Sequence, residues 1–181
     1  LARVIRHRSI RYSEKECLDL PELVRIDRRV TMPDELQGYN ETYLKALRDA
    51  QKDGDAALVK SSYNVLRGIA MGWLKVEADD GDSLIRFPTN PKAAAIVDLL
   101  NEIPADEKVL MYCHYRNSGL VLADYLDEAG INTYRLFGGT SNKSGVVRAF
   151  KENPKVRVLL ASQSGAVGLN LQHASRRVVF A

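Results

Sequence analysis

Apolar residues in the second half of the chain form short continuous runs, separated by amphipathic stretches. The apolar runs predict four strands, at 109–113, 133–137, 156–161 and 177–180. The stretches before and between them predict three helices, at 90–100, 118–129 and 143–151. Near-continuous apolar strands that alternate with helices are typical of a parallel sheet covered on both faces. We therefore predict an α/β fold.

The first half of the chain reads as mostly helical. Apolar residues recur at helical spacing after Pro33, which favours a helix start, and Asp53-Gly54 ends this helix. A second helix is predicted from Ala56 to Met71. We also predict a short strand at 24–30 and an acidic loop at 77–82. The chain then divides into a lead-in segment, residues 1–89, and an α/β lobe, residues 90–181.

Composition narrows the class of protein only moderately. A hydrophobic content of 45% is that of a globular domain, and no run approaches the roughly 18 apolar residues of a membrane span. The net charge of +3 permits binding to a phosphate backbone without requiring it. Cys17 and Cys113 are far apart, so we expect no metal cluster and a reduced, cytoplasmic setting. Because Leu1 replaces the usual starting Met, we expect a piece of a longer protein.

Small polar residues follow three of the predicted strands. The segments 114–118, 138–142 and 162–168 are rich in Gly, Ser, Thr or Asn. In open parallel sheets, ligands bind outside the carboxyl ends of the strands. The sequence therefore predicts a binding site that these three segments share.

The most informative stretch is LLASQSGAVGLNL at 159–171, a buried strand that runs into hydroxyl residues and glycines. Small residues let the backbone approach a phosphate closely, and the hydroxyls of Ser162 and Ser164 can donate hydrogen bonds to phosphate oxygens. The structural alternative is a tight turn between strand and helix that needs glycine for its geometry alone.

This stretch resembles motif V of superfamily-two helicases, above all the Swi/Snf-type DNA translocases, whose typical form is L-L-S-T-x-A-G-G-x-G-x-N-L. Ser162 takes the threonine position, while Ala161, Gln163 and Ala166 depart from the pattern. In the family this motif touches both the nucleic-acid backbone and the nucleotide. The resemblance thus implies a nucleic-acid contact for Ser162. It implies nucleotide contacts for the residues at the fixed positions, Gly165, Gly168 and Asn170.

Two further segments match the same family in the same order. Residues 108–118 resemble motif IV, which implies nucleic-acid contacts for Tyr115 and Arg116. Residues 134–141 resemble the motif that follows, a strand ending in Gly-x-Thr or Gly-x-Ser. That loop supplies amides and hydroxyls to a phosphate, which implies the same for Gly139, Thr140 and Ser141.

The resemblance implies the second RecA-like lobe of an enzyme that couples ATP hydrolysis to movement along double-stranded DNA. The chain has no G-x-x-x-x-G-K-[ST] phosphate loop and no Asp-Glu-x-His box. ATP and Mg are therefore expected to bind mainly to a first RecA-like lobe, the partner of this one. We expect residues 90–181 to stop before motif VI, with its arginine finger, and this piece alone to be inactive. The parent would be cytoplasmic, and nucleoid-associated in a prokaryote or nuclear in a eukaryote.

Two alternatives remain open at this point. One is a rhodanese-like sulfurtransferase, in which Cys113 would carry the sulfur and Arg116 would lower the pKa of its thiol. Arg116 follows Cys113 by only three residues, which shortens the loop usual in that family. The other alternative is a nucleic-acid-binding lobe without catalytic activity.

Overall fold

The computed structural model describes residues 24–78, 81–162, 171, 174, 175 and 177–180. The helices in this part are α1 (Asp34–Asp53), α2 (Ala56–Ala70), α3 (Pro91–Glu102), α4 (Arg116–Glu128) and α5 (Lys143–Glu152). The strands are β1 (Trp73–Ala78), β2 (Gly81–Arg86), β3 (Val109–Cys113), β4 (Thr133–Leu136), β5 (Val158–Ser162) and β6 (Arg177–Phe180).

Four strands form a parallel sheet in the order β4-β5-β3-β6. Val109 on β3 lies opposite Val158 on β5 and Arg177 on β6, so the three strands start at the same edge. The connections from β3 to β4 and from β4 to β5 carry helices, as parallel pairing requires. The predicted α/β fold and all four predicted strands of this sheet are confirmed.

Both faces of the sheet are covered. Alternate residues of β3 point to opposite faces, so Val109, Met111 and Cys113 join one apolar cluster and Leu110 joins the other. Residues of α3 and α4, including Leu100 and Leu126, complete the first cluster. Phe150 on α5 is fully buried in the second. This arrangement explains why the strands are apolar along their whole length.

The predicted helix ends are confirmed where the sequence carries a clear capping residue. Gly54 ends α1 with a left-handed backbone, φ +72°. Asn90 begins α3, and its side chain accepts a hydrogen bond from the Ala93 amide. Gly130 follows α4 with φ +74°. In the part of the chain that the structure describes, no helix is both long and apolar enough to cross a membrane.

The prediction of an acidic loop at 77–82 is wrong, because residues 77, 78, 81 and 82 lie in strands. Residues 73–78 and 81–86, strands β1 and β2, form an antiparallel hairpin in which Trp73 pairs with Arg86 and Ala78 with Gly81. Glu77 and Asp82 are paired with each other within these strands. Main-chain pairing holds these residues in strands despite their low β-propensity, since tertiary context overrides a local preference.

The strand predicted at 24–30 is also wrong, because these residues carry no strand assignment. Val24 and Ile26 are 74% and 77% exposed, so these apolar side chains do not pack against an apolar surface. A β-branched sequence forms a strand only where a partner strand accepts its hydrogen bonds, and no described strand pairs with this segment.

The hairpin attaches to the sheet through α4. The indole N–H of Trp73 donates to the Ser118 hydroxyl at 3.1 Å, and both residues are buried. Arg86 donates to the Glu128 carboxylate at 2.5 Å and lies 3.9 Å from the centre of the Tyr125 ring. The lead-in segment and the α/β lobe therefore share a packed contact.

Candidate nucleic-acid interface

The ends of β3 and β5 meet the loop after β4 at the carboxyl edge of the sheet. Cys113 and Ser162, the last residues of β3 and β5, lie opposite each other in the sheet. The Ser162 hydroxyl accepts a hydrogen bond from the Gly138 amide, in the loop after β4, at 3.2 Å. The edge thus brings together parts of the three segments singled out in the sequence.

The loop after β4 is a tight turn with accessible backbone. The Thr140 amide donates to the Phe137 carbonyl at 3.1 Å, and the Thr140 hydroxyl accepts from the Phe137 amide at 3.2 Å. Gly139 has φ +89°, which glycine adopts without strain, and a Cβ there would have nothing within 4 Å. Gly138, Gly139 and Ser141 are exposed. A phosphate could therefore approach the backbone of this turn.

A close contact between α4 and Phe137, the residue after β4, positions this turn. An added Cβ on Gly119 would lie 2.5 Å from the Phe137 ring, so only glycine lets α4 approach so closely. Phe137 itself is buried. The packing of Phe137 in the core therefore fixes the start of the turn that follows it.

Ser162 lies deeper than a residue that binds ligand directly. It is only 4% exposed, and its hydroxyl holds the Gly138 amide. This geometry favours a role in fixing the turn after β4. The nucleic-acid contact expected of Ser162 stays a prediction, and any effect of Ser162 would pass through that turn.

Tyr115 and Arg116 occupy the start of α4, directly after β3. The Tyr115 hydroxyl accepts a hydrogen bond from Arg67 of α2 at 2.6 Å and donates to the Asn64 side chain at 3.3 Å. Arg116 is exposed. The predicted contacts of Tyr115, Arg116, Gly139, Thr140 and Ser141 with nucleic acid stay predictions.

Comparison with known protein families decides the identity of the lobe. The model of the helicase conserved C-terminal domain matches residues 91–181, half of the chain. The chain belongs to this family. The match begins at the first residue of α3, close to the boundary at residue 90 that the sequence suggested.

Related proteins extend well beyond this helicase C-terminal domain. YqhH of Bacillus subtilis, described as an uncharacterized ATP-dependent helicase, is 30% identical over 99 residues, covering 54% of this chain and 17% of the relative. The DNA repair and recombination protein RDH54 of Saccharomyces cerevisiae is 32% identical over 104 residues, covering 55% and 11%. The chain thus matches less than a fifth of the length of either relative.

Solved structures show the same fold. The C-terminal domain of the SWI2/SNF2 ATPase of Sulfolobus solfataricus superposes with a TM-score of 0.65 at 16% identity, covering 83% of this chain and 68% of that one. The ATPase core of the same organism in complex with double-stranded DNA gives 0.70 at 15% identity, covering 93% and 37%. The helicase C-terminal domain described here therefore has the fold of a RecA-like Swi2/Snf2 lobe.

The nucleotide-binding residues predicted for the helicase domain, Gly165, Gly168 and Asn170, lie outside the described residues. All of residues 163–170 are outside that part of the chain. Within the described ranges, no three His, Cys, Asp or Glu side chains are grouped so that they could hold a metal ion.

The geometry of Cys113 does not support sulfur transfer by this domain. Cys113 is 1% exposed, and burial raises the pKa of its thiol to about 11. A sulfurtransferase needs an accessible thiolate, whereas this thiol stays protonated at neutral pH. Cys113 packs as a small apolar residue among the side chains beneath α4.

Sequence reasoning missed the residues of α2 around Tyr115. Asn64 and Arg67 form hydrogen bonds with Tyr115, and Tyr63 accepts a hydrogen bond from Arg67. Tyr63 and Arg67 are four residues apart, on one face of a helix, which is a local signal of a pair. Nothing local indicates the contact of Arg67 with Tyr115, which lies 48 residues further along the chain.

Proposed function

We propose that this chain is the C-terminal lobe of an ATP-dependent DNA translocase of the Swi/Snf type, which grips the DNA backbone and forms part of the ATP cleft. The observation that carries the proposal is the exposed Gly138–Ser141 turn, anchored by Ser162 at the carboxyl edge of a parallel sheet. Family membership supports it, and so do the ATP-dependent helicase and the DNA repair protein among the relatives.

ATP hydrolysis would supply the free energy for movement, and this lobe would supply one of two grips on the strand. Closure of two lobes moves one grip relative to the other. The amides of the turn and the hydroxyls of Thr140 and Ser141 would donate to phosphate oxygens. Such contacts position a protein on DNA without reading its sequence.

The partners of this lobe are proposals of the same kind. A first RecA-like lobe would carry the phosphate loop and the ligands of Mg. Gly165, Gly168 and Asn170 would complete the nucleotide side of the cleft. Double-stranded DNA is the proposed substrate track, which would place the parent protein with the nucleoid or in the nucleus.

The chain by itself is expected to bind double-stranded DNA and not to hydrolyse ATP. Neutral donors give modest affinity, and lysines and arginines near the turn add a salt-dependent part. Fluorescence anisotropy with a labelled duplex measures the first property, and phosphate release with and without DNA measures the second. Absence of duplex binding would contradict the proposal, as would ATP turnover that disappears when residues of this chain are changed.

Replacing Ser162 with alanine is expected to weaken duplex binding about 2- to 10-fold, which corresponds to one hydrogen bond of about 0.5–1.5 kcal/mol. The Gly138 amide loses its acceptor, so the turn that would hold the phosphate is less well fixed. No charge is removed, and the slope of affinity against salt should stay constant. In a protein that includes the first lobe, DNA-stimulated ATPase activity should fall while basal activity is retained.

The control is Ser83→Ala, an exposed serine on β2. It should change neither affinity nor melting temperature. A Ser162→Ala protein with a lower melting temperature and unchanged DNA affinity would show that Ser162 only stabilises the fold.

A further inference from the structure

The arginines of this chain differ in what neutralises them. Of the arginines that the structure describes, four donate to a carboxylate: Arg28 to Glu102, Arg86 to Glu128, Arg135 to Asp127 and Arg177 to Glu107. Arg67 on α2 is held as firmly as these, but among the described residues its hydrogen bonds go only to uncharged tyrosine hydroxyls. Within the described part of the chain, its positive charge is therefore positioned but not neutralised.

The guanidinium of Arg67 is fixed by four contacts with two tyrosines. It donates to the Tyr115 hydroxyl at 2.6 Å and to the Tyr63 hydroxyl at 3.0 Å. Its central carbon lies 4.5 Å from the centre of the Tyr63 ring and 5.5 Å from that of Tyr115. A guanidinium has five N–H donors, so three remain for another acceptor. The side-chain entropy normally lost on binding a ligand is already lost here.

The two helices whose residues hold Arg67 carry positive charge near it. Residues 56–70 of α2 contain Lys60 and Arg67 but no Asp or Glu. The first turn of α4, next to Tyr115, contains exposed Arg116 and no acidic residue. Tyr115 lies two residues after the end of β3, at the edge where the Gly138–Ser141 turn lies. The positive charge thus adjoins the proposed DNA grip.

We propose that Arg67 binds a phosphate of the DNA backbone and extends the interface from the edge of the sheet onto α2. A planar guanidinium matches the oxygens of a phosphodiester and remains charged at every accessible pH. Tyr115 and Tyr63 are positioning residues that hold Arg67 in place. This inference deepens the proposed function and depends on it.

The competing explanation is that Arg67 only joins α2 to the loop after β3. The two roles differ in their salt dependence. Each phosphate that a cation neutralises releases counterions and adds about 0.9 to the slope of log affinity against log salt. A purely structural arginine contributes to stability but adds nothing to that slope.

The test is Arg67→Met in the full chain, with binding to a labelled DNA duplex measured between about 50 and 200 mM salt. The slope should fall by about 1, and affinity at the low-salt end should fall roughly tenfold. The matched control is Arg86→Met. Arg86 also lies against a tyrosine ring, but Glu128 neutralises it, so its loss should leave the slope unchanged.

Two further variants separate charge from packing. Arg67→Gln keeps an amide that can donate to a tyrosine hydroxyl but removes the charge, so it should reproduce the lower slope even if Arg67→Met does not fold. Tyr115→Phe removes the hydroxyl that holds Arg67 and keeps the charge, so it should weaken binding without changing the slope.

The outcomes distinguish this inference from the function on which it depends. Wild-type binding with the same slope in the folded Arg67 variants would overturn the role of Arg67 and leave the proposed function standing. An equal loss of slope in Arg86→Met would also overturn it, because any arginine would then suffice. A wild-type chain that does not bind the duplex would refute both proposals.

Discussion

Replacing Trp73 with alanine is expected to lower the free energy of unfolding by about 3–5 kcal/mol, the usual cost of deleting a buried aromatic side chain. Trp73 is 8% exposed and donates to the buried Ser118 hydroxyl. An added Cβ on Gly68 would lie 3.3 Å from the indole ring, so α2 packs closely against that ring. Urea denaturation, followed by circular dichroism, measures the change.

Two controls divide this loss into its parts. Trp73→Phe keeps most of the apolar contact but removes the N–H donor, and should cost about 1–3 kcal/mol because Ser118 loses a buried partner. Leu84→Ala, at a residue 41% exposed on β2, should change stability by less than about 0.5 kcal/mol. A Trp73→Ala protein as stable as Leu84→Ala would contradict the packing described here.

The same experiment reports on the division into residues 1–89 and 90–181. Trp73 and Ser118 belong to different sides of that boundary, and Arg86 and Glu128 join the same two segments. Because packed contacts couple the segments, we expect one cooperative transition from native to unfolded chain. Two separate transitions, with only the first shifted by Trp73→Ala, would indicate independent domains.

The parallel sheet could be predicted from the sequence because its signals are local. Each buried strand is a short apolar run, and Gly54, Asn90 and Gly130 each mark a helix end by their own chemistry. The hairpin was missed because exposed Leu84 and Ile85 adjoin on β2, which breaks the alternation of a half-buried strand. The prediction of a strand at 24–30 was wrong for the opposite reason. Its composition is typical of a strand, but composition alone does not provide a partner strand.

The candidate site also has features that the sequence predicts and features that it does not. Residues after the strands could be placed together because parallel strands bring their carboxyl ends to one edge. The depth of Ser162 could not be inferred, because a hydroxyl at a strand end can point into the protein or out of it. The contact between Arg67 and Tyr115 depends on where α2 lies relative to the residues before α4, a relation between distant segments that no pattern in either segment contains.

Replacing Lys108 with methionine is expected to lower the free energy of unfolding by about 2–3 kcal/mol, a large effect for a lysine. The Lys108 ammonium donates to the carbonyl oxygens of Phe150, Asn153 and Val156 at 2.5, 2.7 and 3.0 Å. Two of these, those of Phe150 and Asn153, lie at the C-terminal end of α5, where the helix dipole also favours a cation. A charged donor contributes about 1.5–3 kcal/mol, and methionine preserves the length of the side chain but satisfies none of the three oxygens.

The matched control is Lys155→Met, because Lys155 is exposed and close in sequence to the carbonyls that Lys108 binds. Its loss should change stability by less than about 0.5 kcal/mol. Lys108 precedes β3 and therefore lies at the amino edge of the sheet, opposite the proposed DNA grip. Folded Lys108→Met should therefore bind duplex DNA with the affinity and salt slope of the wild-type chain. Equal stability of the two variants would show that the cap on α5 contributes nothing, and a lower salt slope in Lys108→Met would show that DNA contacts reach the amino edge as well.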